Sequence, residues 1–300
     1  MLIDPYGRVL TNLRISVTNR CNLKCIYCHR EGEKSGGEID VERIAEISEA
    51  FLKLGLKKVK ITGGEPLLRK DIFDIILALS GFEEISMTTN GTFLAEKAYE
   101  LKECGLDRIN ISLDTLNAEK YEFITGSKLL NKVLDGVEAA VNAKLTPIKL
   151  NMVLLKVNFD EVDEMLSFAN SFNKKDVKVI LQVIELIPNK KTIDYYVDLD
   201  QVERKFREMA FDVKVRAMHR RHQYWTSKGV IEFVKPLDNS EFCRNCNRIR
   251  VTSDGKIKLC IFSDLEIPTD GLGGDEIIKV IKDAVKLRKP RFASLNDFKE

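Results

Sequence analysis

The chain has 300 residues, of which 44% are hydrophobic and 31% charged, and its formal net charge is +2. This length can bury one large core, or a core with a small second domain, and the balanced charge argues against a dedicated nucleic-acid binder. No apolar run approaches the roughly 18 residues that suggest a membrane span. Met1–Leu10 contains no basic segment followed by an apolar stretch, so the sequence predicts a cytoplasmic protein that binds neither membrane nor nucleic acid.

Short strand-like runs alternate with amphipathic helical runs as far as Glu185. Six such repeats favour a parallel sheet, which right-handed crossovers curl into a barrel. We therefore predict an α/β fold: a partial (βα)6 TIM-type barrel over residues 1–215 and a small C-terminal domain over 216–300 that closes it. The predicted strands are Leu13–Thr18, Lys58–Thr62, Ile85–Thr88, Ile109–Leu113, Ile148–Leu155 and Lys178–Glu185. The predicted helices are Val41–Leu54, Asp71–Leu79, Leu94–Cys104, Leu129–Ala143, Val162–Ser171 and Asp275–Leu287.

Five of these strands carry polar side chains on one face and apolar side chains on the other, as alternation with period two requires. The apolar face must pack on the helices, so the polar face is expected inside the curve. An interior that holds Arg14, Lys60 and Lys149 indicates a chamber for an anionic ligand. The alternative is a sheet whose polar face simply meets water. The other polar positions are Ser16, Thr18, Lys58, Thr62, Ser86, Thr88, Asn110, Ser112 and Asn151.

Six of the seven cysteines fall into two groups of three, near the two ends of the chain. In a reducing compartment, clustered cysteines indicate metal binding or catalysis before disulfides. Cys104 stands alone, and we interpret it as a small buried apolar residue. The first triad is Cys21, Cys25 and Cys28; the second is Cys243, Cys246 and Cys260.

The first triad has spacers of three and two residues. Three thiolates this close can bind one four-iron cluster and leave its fourth iron open to a ligand, whereas structural zinc usually has four closed ligands. Two alternatives exist. Cys25-Ile-Tyr-Cys28-His29 fits the pattern of c-type haem attachment, although the chain shows no export signal, and His29 could complete a Cys₃His zinc site.

The triad resembles the cluster motif of the radical S-adenosylmethionine (SAM) superfamily. Thr62-Gly63-Gly64-Glu65-Pro66, at the end of the second predicted strand, resembles the superfamily's Gly-Gly-Glu-Pro motif, which contacts the methionine part of SAM. Glycines permit close backbone approach, and a carboxylate at Glu65 can accept hydrogen bonds from the ammonium group of SAM. The motif is weak alone, but its place one βα unit after the triad makes it specific.

The second triad lies in Phe242-Cys243-Arg-Asn-Cys246-Asn-Arg248-Ile249-Arg250, with Cys260 following. Spacing alone makes two kinds of metal site equally plausible: an iron–sulfur cluster, or a zinc ribbon whose fourth ligand is His219 or His222. The full string closely resembles the C-terminal motif of the GTP 3′,8-cyclase family of molybdenum-cofactor synthesis. The resemblance extends through Asp4-Pro-Tyr-Gly-Arg8, Leu13-Arg-Ile-Ser-Val-Thr18, Arg108-Ile-Asn-Ile-Ser-Leu-Asp-Thr115 and Pro147-Ile-Lys-Leu-Asn151.

The resemblance implies two [4Fe-4S] clusters, held by the two triads, with the open iron of the second cluster binding the guanine base of GTP. It also implies residue roles, which agree with the polar face described above. The catalytic residues would be the first triad with Arg248 and Arg250. Residues implied to contact SAM are Tyr27, Gly63, Gly64, Glu65, Ser112 and Ile187, and those implied to contact GTP are Arg14, Lys60, Thr88, Lys149, Arg248, Ile249 and Arg250.

In the implied reaction, SAM is cleaved to a 5′-deoxyadenosyl radical that removes the C3′ hydrogen of GTP, and the resulting carbon radical attacks C8 of guanine. The expected partners are GTP, an electron donor, the downstream cyclic pyranopterin monophosphate synthase and a second copy of the chain. Two other hypotheses stay open: a radical SAM enzyme acting on a peptide, and a zinc-stabilised nucleotide-binding protein without catalysis. Family members usually end in a Gly-Gly tail, whereas this sequence ends Asp297-Phe-Lys-Glu300, so the task of that tail would be met otherwise or activity would be altered.

Overall fold

The computed structural model describes residues 1–33, 36–291 and 293–298. The final Lys299 and Glu300, where the sequence departs from a Gly-Gly tail, lie outside the described residues. The strands, in chain order, are β1 Leu2–Ile3, β2 Val9–Leu10, β3 Asn12–Ser16, β4 Lys58–Thr62, β5 Glu84–Thr89, β6 Arg108–Ser112, β7 Ile148–Leu154, β8 Val179–Glu185, β9 Asp212–Val215, β10 His222–Thr226, β11 Gly229–Val234, β12 Arg248–Val251, β13 Ile257–Lys258 and β14 Glu266–Ile267. The helices are α1 Val41–Lys53, α2 Ile72–Ala78, α3 Leu94–Glu103, α4 Ala118–Thr125, α5 Leu130–Asn142, α6 Val162–Ser171, α7 Leu199–Met209, α8 Ser240–Arg244 and α9 Gly274–Lys286.

Twelve of the strands form one sheet in the order β14-β13-β12-β3-β4-β5-β6-β7-β8-β11-β10-β9. The six strands from β3 to β8 are parallel neighbours in chain order, as βα repeats require. The predicted α/β fold with a partial six-stranded barrel is therefore confirmed. Each of the six strands lies within two residues of its predicted bounds.

The segment after Val215 supplies strands to both edges of this sheet. β12 pairs in parallel with β3, and β11 pairs in parallel with β8. The outer pairs on each side, β10–β9, β12–β13 and β13–β14, are antiparallel. The sequence did not predict these strands: β12, β13 and β14 are short, whereas β11, with six residues, is as long as β5 and largely apolar.

The alternation of the strands places the two faces as expected. Leu13, Ile15, Val59, Ile61 and Ile109 are all 1% exposed or less and lie in the main hydrophobic core. This core also includes buried residues of α1, α2, α3, α5 and α6.

The sheet curves towards its polar face. Lys60 on β4 donates from Nζ to Oδ1 of Asn110 on β6, 2.9 Å away, although β5 lies between them. Lys149 on β7 likewise reaches Glu232 on β11 across β8. Strands that are two apart are separated by nearly 10 Å in a flat sheet, and these contacts bridge that spacing across the polar face, inside the partial barrel.

Two further features concern the whole chain. Among the described residues, no helix is both long enough and apolar enough to cross a membrane. Cys104, expected to be buried, is only partly buried at the end of α3, where it packs against the core.

Candidate active site

The first cysteine triad lies in the loop that follows β3, at the carboxyl ends of the parallel strands. Ligands of open α/β sheets bind at this end. A turn brings the Cys28 amide to the Cys25 carbonyl at 3.1 Å. Burial raises the pKa of Cys25, and Cys28 and Cys21 raise it further. The three thiols therefore lie within electrostatic reach of one another.

Gly63 and Gly64, after β4, lie directly against the backbone that leads into this loop. A Cβ atom at Gly64 would lie 2.2 Å from the Arg20 carbonyl oxygen, and one at Gly63 would lie 2.5 Å from that of Thr18. The Gly64 amide donates to the Thr18 carbonyl oxygen at 2.7 Å. Glycine is thus required here for the approach of two loops, a reason that the sequence did not reveal.

Glu65 is fully buried and braces these loops. Its carboxylate accepts from the amides of Leu67 and Asn90 and from the hydroxyl of Thr89 at 2.6–3.0 Å. Burial raises its pKa to about 7, against the effect of these hydrogen bonds. Asn90 also places its side-chain amide 3.9 Å from the Cys21 sulfur. Glu65 therefore ties the ends of β4 and β5 to the cysteine loop, a role not indicated by the sequence.

Tyr27 is fixed by a buried carboxylate. Its hydroxyl donates to Oδ2 of Asp114 at 2.6 Å, and Oδ1 of Asp114 accepts from the Val153 amide at 2.8 Å. Burial raises the pKa of Asp114 to about 6. Ser112 ends β6 and Ile187 follows β8, so both half-buried residues also lie at the carboxyl ends of the strands.

The second triad lies at the opposite end of the same sheet. Cys243 and Cys246 precede β12, which runs parallel to β3, and Cys260 follows the antiparallel β13. A turn joins the Cys246 amide to the Cys243 carbonyl at 3.2 Å. Burial raises the pKa of Cys243 to about 11, with Cys260 and Cys246 adding to the rise. These three thiols also lie close together.

The two histidines considered as alternative zinc ligands have different surroundings. His219 is buried and stacks on Phe242 with ring centroids 3.7 Å apart, beside Cys243. His222 lies on β10 and stacks on Tyr224.

The donor chemistry of both triads fits iron–sulfur clusters, which are held by cysteine thiolates. In residues 1–33, 36–291 and 293–298, no three His, Cys, Asp or Glu side chains form a group that could hold one metal ion. The thiolates of a four-iron cluster bind different iron atoms, so they need not converge as closely as the ligands of one ion.

Cationic side chains converge on the concave face between the triads. Lys60 is half-buried, and desolvation lowers its pKa well below the ordinary value. Cations of four neighbouring strands lower it further: Arg108, Arg14, Arg248 and Lys149. Thr88 lies on the same face, in register with Asn110. The predicted chamber wall is therefore basic, as the polar alternation indicated.

Arg14 and Arg250 are register neighbours on β3 and β12, and they share Glu31. Nη1 of Arg14 lies 3.0 and 3.1 Å from the two carboxylate oxygens, and Nη1 of Arg250 lies 2.5 Å from Oε2. Thr62 donates its hydroxyl to Oε1 at 3.0 Å. Burial alone would raise the pKa of Glu31, but Arg14 and Arg250 hold it far below its usual range. The cavity left beside this group is ≈ 10 Å³, about the space of one water molecule.

Lys149 forms a second buried group. Its Nζ lies 2.9 Å from both oxygens of Glu232 and 2.9 Å from Oε1 of Gln182. Nη1 of Arg221 also lies 2.9 Å from Glu232. Glu232 is 0% exposed; burial raises its pKa, but Lys149 and Arg221 outweigh this and lower it. Glu232 and Arg221 were not predicted from the sequence, although one carboxylate within the apolar run Gly229–Val234 is a detectable signal.

The residues that follow Cys246 point to opposite sides of β12. Arg248 is half-buried, and burial together with Arg14 and Arg250 lowers its pKa well below the ordinary value. Ile249 is 0% exposed and belongs to the hydrophobic core. The side chain of Ile249 therefore faces away from the cations, and only its backbone is left for a ligand contact.

Comparisons with known proteins agree with this arrangement. Residues 15–169 match the family model described as Radical SAM superfamily, and residues 179–294 match the one described as Molybdenum Cofactor Synthesis C. The structure of Streptococcus suis SuiB bound to S-adenosylmethionine superposes with a TM-score of 0.70 at 17% identity, covering 97% of this chain and 75% of that one. Native anSMEcpe with bound AdoMet gives 0.60 at 18% identity, covering 91% and 81%. These two likenesses show the fold.

The fold, the three-cysteine loop and the Gly-Gly-Glu-Pro turn together define a radical SAM enzyme, a class that uses a [4Fe-4S] cluster and SAM. Curated relatives named "Probable GTP 3′,8-cyclase" cover nearly the whole chain. The relative from Archaeoglobus fulgidus is 58% identical, covering 97% of this chain and 99% of its own. Those from Pyrococcus horikoshii and Methanocaldococcus jannaschii are 44% and 40% identical, covering 98% and 96% of this chain and 99% and 98% of their own. The chain belongs to the GTP 3′,8-cyclase family.

Proposed function

We propose that this protein converts GTP to (8S)-3′,8-cyclo-7,8-dihydroguanosine 5′-triphosphate, the first step of molybdenum-cofactor synthesis. The observation that carries this proposal is the basic concave wall between two cysteine triads, which lie at opposite ends of the parallel neighbours β3 and β12. β3 has five residues, which span roughly 17 Å at about 3.3 Å per residue. A nucleoside triphosphate is long enough to reach along such a wall.

At the first end, Cys21, Cys25 and Cys28 would hold the cluster that binds SAM. Tyr27, Gly63, Gly64, Glu65, Ser112 and Ile187 would surround the cofactor. The hydrogen bond from Tyr27 to Asp114 fixes the ring beside Cys25 and Cys28. The backbone of Gly63 and Gly64 lies against the cysteine loop, where it can present amides and carbonyls to the methionine part of SAM.

At the second end, Cys243, Cys246 and Cys260 would hold a second [4Fe-4S] cluster. Three thiolates leave one iron without a protein ligand, and the guanine base would bind there. Arg248 starts the strand that follows Cys246 and would lie beside the bound nucleotide. We assign both Arg248 and Arg250 to the reacting complex as substrate contacts.

The cations between the triads would bind the triphosphate. Arg14 and Arg250 offer planar guanidinium forks that suit phosphate oxygens, whereas Lys60 and Lys149 supply compact charges. Thr88 adds a hydroxyl on the same face, and Ile249 can contribute only backbone. The carboxylate of Glu31 accepts hydrogen bonds from Arg14 and Arg250. A phosphate at this position would therefore compete with that carboxylate for the two guanidinium groups.

When bound, the cluster and SAM would supply the radical chemistry that removes hydrogen from C3′ of GTP. The protein's part is to hold C3′ towards the SAM end and the base towards the second triad, so that C8 lies within reach of the new radical. The buried Lys149 and the half-buried Lys60 would limit the access of water and other hydrogen donors.

The test is an anaerobic assay of the reconstituted protein with GTP, SAM and dithionite. We expect about eight irons per chain, as two four-iron clusters require, and GTP-dependent formation of 5′-deoxyadenosine with a cyclised nucleotide. Tightly bound zinc together with an absence of sulfide would contradict the proposed second cluster. Cleavage of SAM that responds to peptides and not to GTP would favour the rival hypothesis of a peptide-modifying enzyme.

The partners are proposals of the same kind. An electron donor must reduce the first cluster, and the downstream cyclic pyranopterin monophosphate synthase would consume the product. A homodimer and the division into residues 1–215 and 216–300 also stay predictions.

A further inference from the structure

The Asp4-Pro-Tyr-Gly-Arg8 motif lies far from the first triad and has no part in the function described so far. It forms the turn between β1 and β2. Asp4 is 4% exposed; its Oδ1 accepts from the amides of Tyr6 and Arg8 at 3.0 Å. Its Oδ2 is shared by two arginines, with Nε of Arg8 at 2.6 Å and Nη1 of Arg288 at 2.5 Å.

Both arginines connect Asp4 to the loop that carries Cys243 and Cys246. Nη1 of Arg8 donates to the carbonyl oxygen of Cys243 at 2.9 Å. Nη2 of Arg288 lies 3.0 Å from the carbonyl oxygen of Cys246, 3.2 Å from the Cys246 sulfur and 3.1 Å from the carbonyl oxygen of Arg248. One buried carboxylate therefore fixes two guanidinium groups that together reach three residues of the loop.

The arrangement is built from distant parts of the chain. Arg288 follows α9, whose buried residues Ile277 and Ile281 belong to the main core. It is 2% exposed. Arg8 comes from the N-terminal hairpin. A surface charge pair would leave both groups in water, whereas here Arg8 is only 8% exposed and Arg288 only 2%.

We propose that Asp4, Arg8 and Arg288 are positioning residues of the second cluster, and that Arg288 sets its reduction potential by donating a hydrogen bond to the Cys246 sulfur. This inference rests on the second cluster proposed above. Partners outside the ligand set orient metal ligands, and hydrogen bonds to cluster sulfurs with local charge tune reduction potentials. A cation at Cys246 favours the reduced, more negative cluster, so Arg288 raises the potential.

Among the described residues, no arginine donates a hydrogen bond to a cysteine sulfur of the first triad. There the donors to sulfur are the Leu23 amide and the Asn90 side chain, both uncharged and both directed to Cys21. The two clusters would therefore differ in potential, with the second held higher by its arginine.

The experiment compares holoenzyme with Arg288→Met, Arg288→Lys and, as a matched control, Lys289→Met, in which the exposed neighbouring cation is removed. The readouts are iron per chain and the potential of each cluster by redox titration followed by electron paramagnetic resonance (EPR).

Arg288→Met should lose about four of eight irons yet retain SAM cleavage without GTP. Arg288→Lys keeps the charge but not the planar fork, so it should retain the iron while the second potential falls and the first stays constant. Lys289→Met should match the parent.

The outcomes separate the two claims. If Arg288→Met and Arg288→Lys keep both clusters at parental potentials, the positioning role is wrong and the proposed function stands. Equal iron loss from both clusters, or the same result for Lys289→Met, would also overturn it, since a general loss of folding explains that pattern. If the parent itself holds only four irons, the proposed second cluster fails and the inference fails with it.

Discussion

The two ends of the sheet present their cysteines in different surroundings. Cys21 and Cys28 are exposed and lie on a loop held by backbone hydrogen bonds: Gly64 and Glu65 bond to its start, and Ile124 and Thr125 to its middle. Cys243 is buried, and the Cys246 sulfur accepts from Arg288. The first end is suited to a cofactor that enters and leaves at each turnover. The second end is suited to a cluster that stays enclosed and meets a highly charged substrate.

The largest effects should come from replacing a cysteine in one triad at a time. Cys25→Ser should abolish 5′-deoxyadenosine formation to background, because the SAM-binding cluster is lost. Cys246→Ser should retain SAM cleavage without GTP but lose the cyclised nucleotide. Chromatography of both products from single anaerobic reactions checks this. Loss of SAM cleavage in both variants to the same degree would mean that the ends are not separable.

The buried Lys149–Glu232 pair should matter for stability as well as for substrate. Glu232→Gln leaves Lys149 and Arg221 without their carboxylate inside the wall, and breaking a buried pair from one side costs about 3–5 kcal/mol. Lys149→Met should cost a similar amount, and the double variant should recover part of the loss. Chemical denaturation of the anaerobic proteins measures the free energies of unfolding. Additive losses would show that the two groups do not interact.

Arg248→Ala sharpens the comparison at the second end. We expect GTP to bind roughly 10- to 100-fold more weakly, because a hydrogen bond to a charged group contributes about 1.5–3 kcal/mol. SAM cleavage without GTP should be unchanged. Equilibrium dialysis of GTP and an assay of 5′-deoxyadenosine test both statements. Lys58→Ala is the control, since Lys58 is exposed on β4 and pairs with Glu84. If Arg248→Ala binds GTP normally but cleaves SAM poorly, the assignment of Arg248 to GTP binding at the second triad is wrong.

The smallest effect concerns Glu31. In Glu31→Gln, Arg14 and Arg250 no longer share a carboxylate, so GTP should bind about fivefold more tightly, equivalent to about 1 kcal/mol. The control is Glu42→Gln on the exposed side of α1. Weaker binding of GTP in Glu31→Gln would contradict the competition and indicate that Glu31 aligns the two arginines for the substrate.

The sequence predicted the parallel strands well because their periodicity and their polar face both depend on local residue order. Arg14, Lys60 and Lys149 were placed correctly on one surface by alternation alone. The partners of these cations could not be predicted. Glu232 reaches Lys149 across β8, and the pairing of β11 with β8 is a long-range contact without a local signal.

Glu31 illustrates a different limit. It lies in a short turn in which Arg30 and Glu31 both adopt positive φ, 49° and 54°, a backbone conformation that is uncommon for such residues. No residue pattern in this segment predicts that conformation, so the direction of the carboxylate could not be inferred. Ile249 shows the converse case: alternation along β12 would have assigned its side chain to the core, but the resemblance placed it among the GTP contacts.

The most direct test of the account is EPR spectroscopy of the reduced protein, titrated separately with SAM and with GTP. We predict two cluster signals: SAM should change the one that is absent in Cys25→Ser, and GTP should change the one that is absent in Cys246→Ser. If both ligands change the same signal, or if GTP changes neither, the two triads do not face the two ends of one substrate chamber.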